Sequence, residues 1–294
     1  MTKRSSWVAA ADIEEFTRTT IPLLSADAAR NTLILTVFAR LASEGPHVFG
    51  QHDPQMLTWH DAQGEPAGAV LRTPPHGFLL SDVPDEAVTA LIGLLLDPGT
   101  GLDGREINLP ESDQRAFAAA WTARTGHEPR VLERFRLYRL GELLPPKPAP
   151  EGAARRATQH DVEFVSRWLL GFWSEAEPSM PGLTIETALQ AAVARIAEGC
   201  FWVWINGSGT PVSLAGHTPI VAGMGRIGPV YTPPEQRGHG YGAGVTAAVS
   251  QAVRARGADE VLLFTDLANP VSNRLYQRLG YLPVNDRTRL ELTG

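Results

Sequence analysis

The stretch from Ile227 to Arg256 limits what this chain can fold into more than any other. Ile227-Gly228-Pro229-Val230-Tyr231 is short and apolar, as a buried strand would be. Val245 to Arg256 is an Ala- and Val-rich segment with no breaker before Gly257, as a helix with a glycine stop would be. Between them lies Pro233-Pro234-Glu235-Gln236-Arg237-Gly238-His239-Gly240-Tyr241-Gly242-Ala243-Gly244. A glycine-rich turn leading from a strand into a helix suits an anion. The N–H groups of the first helical turn have no intrahelical partner, the helix dipole favours negative charge there, and missing Cβ atoms let phosphate oxygens reach the backbone. Arg237 adds a fixed positive charge. The plainer reading is a surface loop whose glycines serve turn geometry alone.

Gly238, Gly240 and Gly242 with Ala243 also satisfy the loose dinucleotide fingerprint G-x-G-x-x-G/A. A dinucleotide unit needs a tight turn directly after its first strand and further βα units behind it. Here Pro-Pro-Glu-Gln intervenes, and only about fifty residues remain, roughly one further βαβ equivalent. Arg237-x-x-Gly240-x-Gly242 instead resembles the pyrophosphate-binding motif of the GNAT superfamily of N-acetyltransferases. The next segments resemble the same family in order. Glu260-Val261-Leu262-Leu263-Phe264-Thr265 reads as a strand, and Asn269-Pro270-Val271-Ser272-Asn273-Arg274-Leu275-Tyr276-Gln277-Arg278-Leu279-Gly280-Tyr281 is similar to the family's second motif.

The resemblance implies an α/β fold on a mixed, mostly antiparallel sheet flanked by helices. It implies acetyl-CoA as co-substrate, and transfer of its acetyl group to a primary amine of a small molecule by direct attack in a ternary complex. The backbone N–H groups of Gly238, His239, Gly240, Tyr241 and Gly242 would hold the pyrophosphate of coenzyme A, with Arg237 and Ala243 beside them. Val230 and Thr232 would pair their backbones with the pantetheine arm as an added strand pairs with a sheet edge. Asn269 and Ser272 of the second motif are expected on the same ligand, although Asn followed by Pro is also a common helix N-cap.

Composition bounds the rest. A net charge of −6 without an arginine-and-lysine stripe argues against a nucleic-acid or membrane-surface partner. The one cysteine, Cys200, excludes an internal disulfide, suits a reducing compartment and reads as a buried structural thiol before Phe201-Trp202-Val203-Trp204-Ile205. The N-terminal residues lack a signal-peptide pattern, and no window approaches ~20 uninterrupted apolar residues, so a cytoplasmic protein is expected. The histidines show no metal-ligand spacing, so no metal is expected.

Leu143-Leu144-Pro145-Pro146-Lys147-Pro148-Ala149-Pro150-Glu151-Gly152 holds four prolines in ten residues and reads as a semi-rigid linker. It separates residues 1–143 from 154–294, with 144–153 between. Both parts follow a similar order: helices, hairpin, strand, helix, strand, helix, strand. In the first part the glycine nest is replaced by Leu80-Ser81-Asp82-Val83-Pro84-Asp85-Glu86, whose acidic groups would repel a pyrophosphate. That part resembles a degenerate GNAT domain without a cofactor site. An unrelated α/β domain is the alternative.

Transfer from a thioester to an amine expels a thiolate, and a thiol pKa near ~8.5 lets a nearby phenol deliver its proton. By resemblance Tyr276 is that phenol and the favoured catalytic residue; Ser272, Leu275, Tyr276 and Leu279 share one helical face, so a core tyrosine is the alternative. For the base, Glu175 and Glu177 lie on an expected loop, Trp173–Gly182, which in the family borders the acceptor site. His217 and Tyr231 stand as further candidates. A non-catalytic acyl-CoA sensor and a longer-chain acyltransferase carry the same nest, and a homodimer stays open.

Overall fold

Asp61-Ala62-Gln63-Gly64 turns the first hairpin because the Asp61 carboxylate accepts from the Gln63 and Glu65 N–H groups, both at 2.9 Å. The strands it joins are part of the first of two units in a computed structural model that describes residues 4–176 and 184–293. The first unit runs to Leu137 and takes in Asp266–Ala268 and the segment from Val284, while the second holds Tyr138–Thr265 and Asn269–Pro283. This partition differs from ranges 1–143 and 154–294. The sequence pattern shows where strands lie but not which neighbours they pair with, and the last strand of the chain pairs within the first unit.

The first unit contains β1 (Ser6–Ala9), α1 (Ile13–Thr19), α2 (Ile21–Ala26), α3 (Thr32–Glu44), β2 (Gln55–His60), β3 (Pro66–Arg72), β4 (Phe78–Leu80), α4 (Asp85–Leu95), β5 (Glu106–Pro110) and α5 (Glu111–Thr125). β6 (Arg130–Leu140) passes from this unit into the second at Tyr138. β1–β2, β2–β3 and β3–β4 pair antiparallel, and β4–β5 pair parallel. The final strand, which runs Tyr281–Glu291, pairs antiparallel with β5 from Arg287↔Pro110 to Glu291↔Glu106. Val70, Phe78, Leu80, Leu91, Ile107, Phe117 and Leu290 close the core between this sheet and α4 and α5.

The second unit contains β7 (Ala153–Arg156), α6 (Val162–Ala176), α7 (Ile185–Ala197), β8 (Phe201–Ile205), β9 (Pro211–His217), β10 (Met224–Tyr231), α8 (Tyr241–Ala255), β11 (Glu260–Asp266) and α9 (Pro270–Arg278), followed by the start of β12 (Tyr281–Glu291). β7 to β10 pair antiparallel in order, and β10–β11 is parallel. Each unit is thus a mostly antiparallel mixed sheet flanked by helices. One core of the second unit, with Val212, Ile227, Val245, Val249, Val261 and Leu263, lies against α8. A separate cluster joins Val165, Leu169, Ala188 and Ala192 of α6 and α7 to Phe201, Val203 and Leu214.

Two local expectations change. Trp173–Ala176 continue α6 rather than opening a loop, since no breaker precedes Pro178. The nest helix begins at Tyr241, four residues before the Ala- and Val-rich run, despite two glycines in its first turn. Gly244 is there because the Trp204 ring and Pro150 cross so close that a Cβ would sit 2.8 Å from each. The proline-rich stretch also packs on the second unit: Trp204 Nε1 donates to Glu151 O at 2.8 Å, and Leu144 N donates to Leu279 O at 3.0 Å.

Candidate active site

The parallel pairing of β10 with β11 runs from Met224↔Glu260 to Ile227↔Leu263. On its other edge β10 continues to pair with β9 as far as Tyr231↔Leu214, with a register shift between Ile227 and Val230. Gly228 and Pro229 lie at that shift, and a bulge there bends a strand away from a neighbour. Beyond Ile227 the β11-facing edge of β10 has left its parallel partner. Backbone N–H and C=O groups on such an edge need partners from elsewhere.

The strand leads through Thr232 and Pro233 into a 3₁₀ turn at Pro234–Gln236, then into the glycines. Gly238 and Gly240 take φ of 85° and 79°, the left-handed region that a β-branched residue avoids. Gly240 is the N-cap of α8, and α8 has no acidic residue in its first turn. A Cβ on Gly238 would meet no heavy atom within 4 Å, so the cradle opens outward. Arg237, Gly238, His239 and Gly240 are exposed, whereas Tyr241 is buried in the core beneath them. The His239 and Tyr241 rings stack with centroids 5.5 Å apart. Gly242 and Ala243 are half-buried in the first turn, with Gly242 facing the Thr232 hydroxyl.

Charge around the nest is arranged by Arg237. Its Nε donates to Thr232 O at 2.9 Å, and its Nη2 donates to Glu175 Oε1 and Oε2 at 2.8 and 2.7 Å. The same guanidinium lies 5.9 Å from the centroid of the Tyr231 ring. Tyr231 Oη donates to Glu175 Oε1 at 3.4 Å. Burial, then the nearby Glu175 carboxylate, pushes the Tyr231 phenol above its ordinary value. Thr232 also shares a hydroxyl hydrogen bond of 2.8 Å with Ser213.

Tyr276 is 8% exposed, packs edge-on against Tyr281 at 6.0 Å, and belongs to the core cluster that Val230 and Leu275 also join. Burial pushes its phenol up to about 12. Asn269 caps α9: its Oδ1 accepts from Ser272 N at 3.0 Å, and Pro270 holds the first helical position.

Residues 209–290 match the model of the FR47-like protein family. A GCN5-related N-acetyltransferase from Sphaerobacter thermophilus superposes on 98% of this chain and 96% of its own, with a TM-score of 0.60 at 19% identity. Mycothiol acetyltransferase from Thermobispora bispora is 41% identical over 68 residues, 22% of this chain and 23% of that protein. The mycothiol acetyltransferase of Streptosporangium roseum is 35% identical over 83 residues, 28% of this chain and 22% of its own. The family match covers little more than a quarter of the chain, and the likeness to the solved structure is one of fold. The chain's alignments span about a quarter of the length of those two relatives.

Within the second unit the structure brings Arg237, Thr232 and Glu175 together and sets Val230 on the diverging strand. Asn269, Ser272 and Tyr276 sit on α9. Glu177 lies outside the described residues. His217 is poorly suited as a base: its Nδ1–H donates to Thr218 O at 2.8 Å and its Nε2 accepts from Arg256 Nη1 at 3.3 Å. Burial holds its pKa below the ordinary imidazole value, so it is neutral at physiological pH. Cys200 is buried, and burial pushes its thiol up, which keeps it inert. Sequence reading passed over Gly171. A Cβ at Gly171 would lie 2.7 Å from Tyr231 Oη, so this glycine admits the phenol. An isolated glycine inside an amphipathic helix was the available signal. Among the described residues no group of His, Cys, Asp and Glu could hold a metal, and no helix is long and apolar enough to cross a membrane.

Proposed function

We propose that the second unit is an acetyl-CoA-dependent N-acetyltransferase that acts on a primary amine of a small molecule. The observation that carries this reading is the departure of β10 from β11 beyond Ile227↔Leu263, directly upstream of an open glycine-capped helix N-terminus. Bound acetyl-CoA would supply the activated acetyl group and a thiolate leaving group. The N–H groups of Gly238, His239, Gly240, Tyr241 and Gly242, with Arg237 and Ala243 beside them, would hold its pyrophosphate. The freed edge at Val230, with Thr232, would pair with its pantetheine amides. Asn269 and Ser272 are assigned to the same ligand.

Tyr276 would keep its proton at neutral pH and donate it toward the departing sulfur. A phenol at about 12 is a weaker acid than a thiol near ~8.5, so full transfer runs uphill in water. Apolar surroundings raise the thiol as well, which narrows the gap as sulfur takes on charge. Glu175 and Glu177 are the carboxylates assigned to the amine's proton. The first unit is read as a degenerate GNAT domain that binds no cofactor. The protein would work in the cytoplasm without nucleic acid or membrane.

Incubation with acetyl-CoA and a panel of amines tests this, starting with the acceptor of mycothiol acetyltransferase. Free thiol should rise only when an amine is present, with the acetylated amine visible by mass spectrometry. A second reading, a non-catalytic acyl-CoA sensor, is favoured by the core packing of Tyr276. Coenzyme A binding without thiol release for any amine would select it.

A further inference from the structure

Glu175 reaches the site from the last turn of α6, and what it meets is the cation of the nest. Both of its oxygens accept from Arg237 Nη2, at 2.8 and 2.7 Å, while Tyr231 Oη donates to Oε1 at 3.4 Å. Arg237 is pinned at its other end by Thr232 O, so its guanidinium bridges the end of β10 and the end of α6. Both charged side chains are 48% exposed. An ion pair of that exposure is weak, and a ligand with more charge can replace one member of it.

We propose that Glu175 is a carboxylate latch on Arg237, closed in the unliganded unit and displaced when a pyrophosphate occupies the nest. This rests on the reading of the nest as the pyrophosphate site of coenzyme A. The latch gives Glu175 two states. In the closed state its charge neutralises Arg237 and keeps the cation ordered beside the glycines. In the open state the phosphates take over Arg237, and Glu175 retains only the Tyr231 hydroxyl, at the end of the diverging strand. A carboxylate freed there is available to a positively charged amine, so Glu175 competes with the cofactor for Arg237 and turns to the acceptor only after the exchange. No bond is made or broken in the exchange.

The consequence is opposite to that of an ordinary binding-site deletion: loss of the carboxylate should strengthen coenzyme A binding. Calorimetric titration with coenzyme A would compare the unaltered protein, Glu175→Gln, Arg237→Gln and the double variant. Glu175→Gln should bind up to about 5-fold tighter, the range of an exposed ion pair, with the gain shrinking at high salt. In the Arg237→Gln background the same change should have little effect. An equal gain in both backgrounds would mean that Glu175 acts by general repulsion of phosphate, which overturns the latch. Unchanged or weaker binding by Glu175→Gln overturns it too, leaving the nest intact. No coenzyme A binding by the unaltered protein would remove the nest reading and the latch together.

Discussion

The two units contain the same topological feature and use it differently. In the second, the parallel pair β10–β11 stops at Ile227↔Leu263 and the chain runs on into exposed glycines. In the first, the parallel pair β4–β5 has the register Phe78↔Ile107 and Leu79↔Asn108. Here the space past the last pair is filled by the protein itself. Arg287, on β12 and 2% exposed, donates from Nη2 to Leu80 O at 2.7 Å and Asn108 O at 3.1 Å, and from Nε to Asn108 Oδ1 at 2.6 Å. Burial lowers its pKa to about 10, while Asp82 and Asp113 act in the opposite direction. The helix beyond differs as well. α4 has Pro84 at its N-cap and Asp85 and Glu86 in its first turn, where α8 has Gly240 and no acid. Diverging parallel strands leave backbone carbonyls that must find donors. The first unit satisfies them with its own arginine; in the second, the proposed cofactor would take that place along the edge past Ile227.

The sharpest test of this contrast is chemical. If Tyr276 serves the thiolate, Tyr276→Phe should lower kcat by roughly 10²-fold with KM for acetyl-CoA nearly unchanged. A core tyrosine predicts normal turnover with a lowered Tm instead.

Next comes cofactor binding. Gly240→Val forces a β-branched residue to φ near 79°, and Arg237→Glu reverses the nest's charge. Each should weaken coenzyme A binding by 10-fold or more, about 1.4 kcal/mol, in calorimetric titrations of protein with an unchanged circular dichroism spectrum. Because Arg287 occupies the first unit's gap, the titration should saturate at one coenzyme A per chain. A stoichiometry near two would falsify the comparison.

Removing the plug should not restore a site. Arg287→Met leaves Leu80 O and Asn108 without their donor, and stability should fall by about 1–3 kcal/mol in denaturant titrations. Coenzyme A stoichiometry should stay at one, since Asp85 and Glu86 still guard α4. A second bound coenzyme A would show that Arg287 alone closes the first unit.

The smallest effect is a difference in acid response. His217 in the second unit has a folded pKa held down by burial, so its contribution to stability is present above about 6.5 and lost as pH falls through the folded value. Asp113 in the first unit has a folded pKa raised by burial, so its contribution is present at low pH and lost as pH rises through that value. His217→Gln should therefore flatten the loss of stability between pH 7 and 5. Asp113→Asn should remove a contribution of opposite sign. Thermal melts from pH 7 down to about pH 3 measure both, since the Asp113 contribution starts to be lost above the ordinary aspartate value of 3.8.

Much of the second unit was legible because its signals are local. Glycines, prolines and apolar runs act through the φ and ψ of neighbouring residues, so the order of strands and helices, the Asn269 cap and the nest between strand and helix follow from short stretches of chain. Acidic residues in place of the glycines likewise set Asp82–Glu86 apart from Arg237–Gly244 without any coordinates. What the sequence could not carry is which distant groups meet. Arg287 lies 179 residues from Asn108 along the chain, and only strand pairing puts its guanidinium beneath the first unit's gap. Glu175 and Arg237 are 62 residues apart, and nothing local distinguishes either from a solvated surface charge. Gly171 looks like a flaw in a helix until the Tyr231 hydroxyl is seen against it. Backbone preferences are decided within a few residues, whereas pairing, burial and charge neutralisation depend on where the chain returns, and only the tertiary structure settles that.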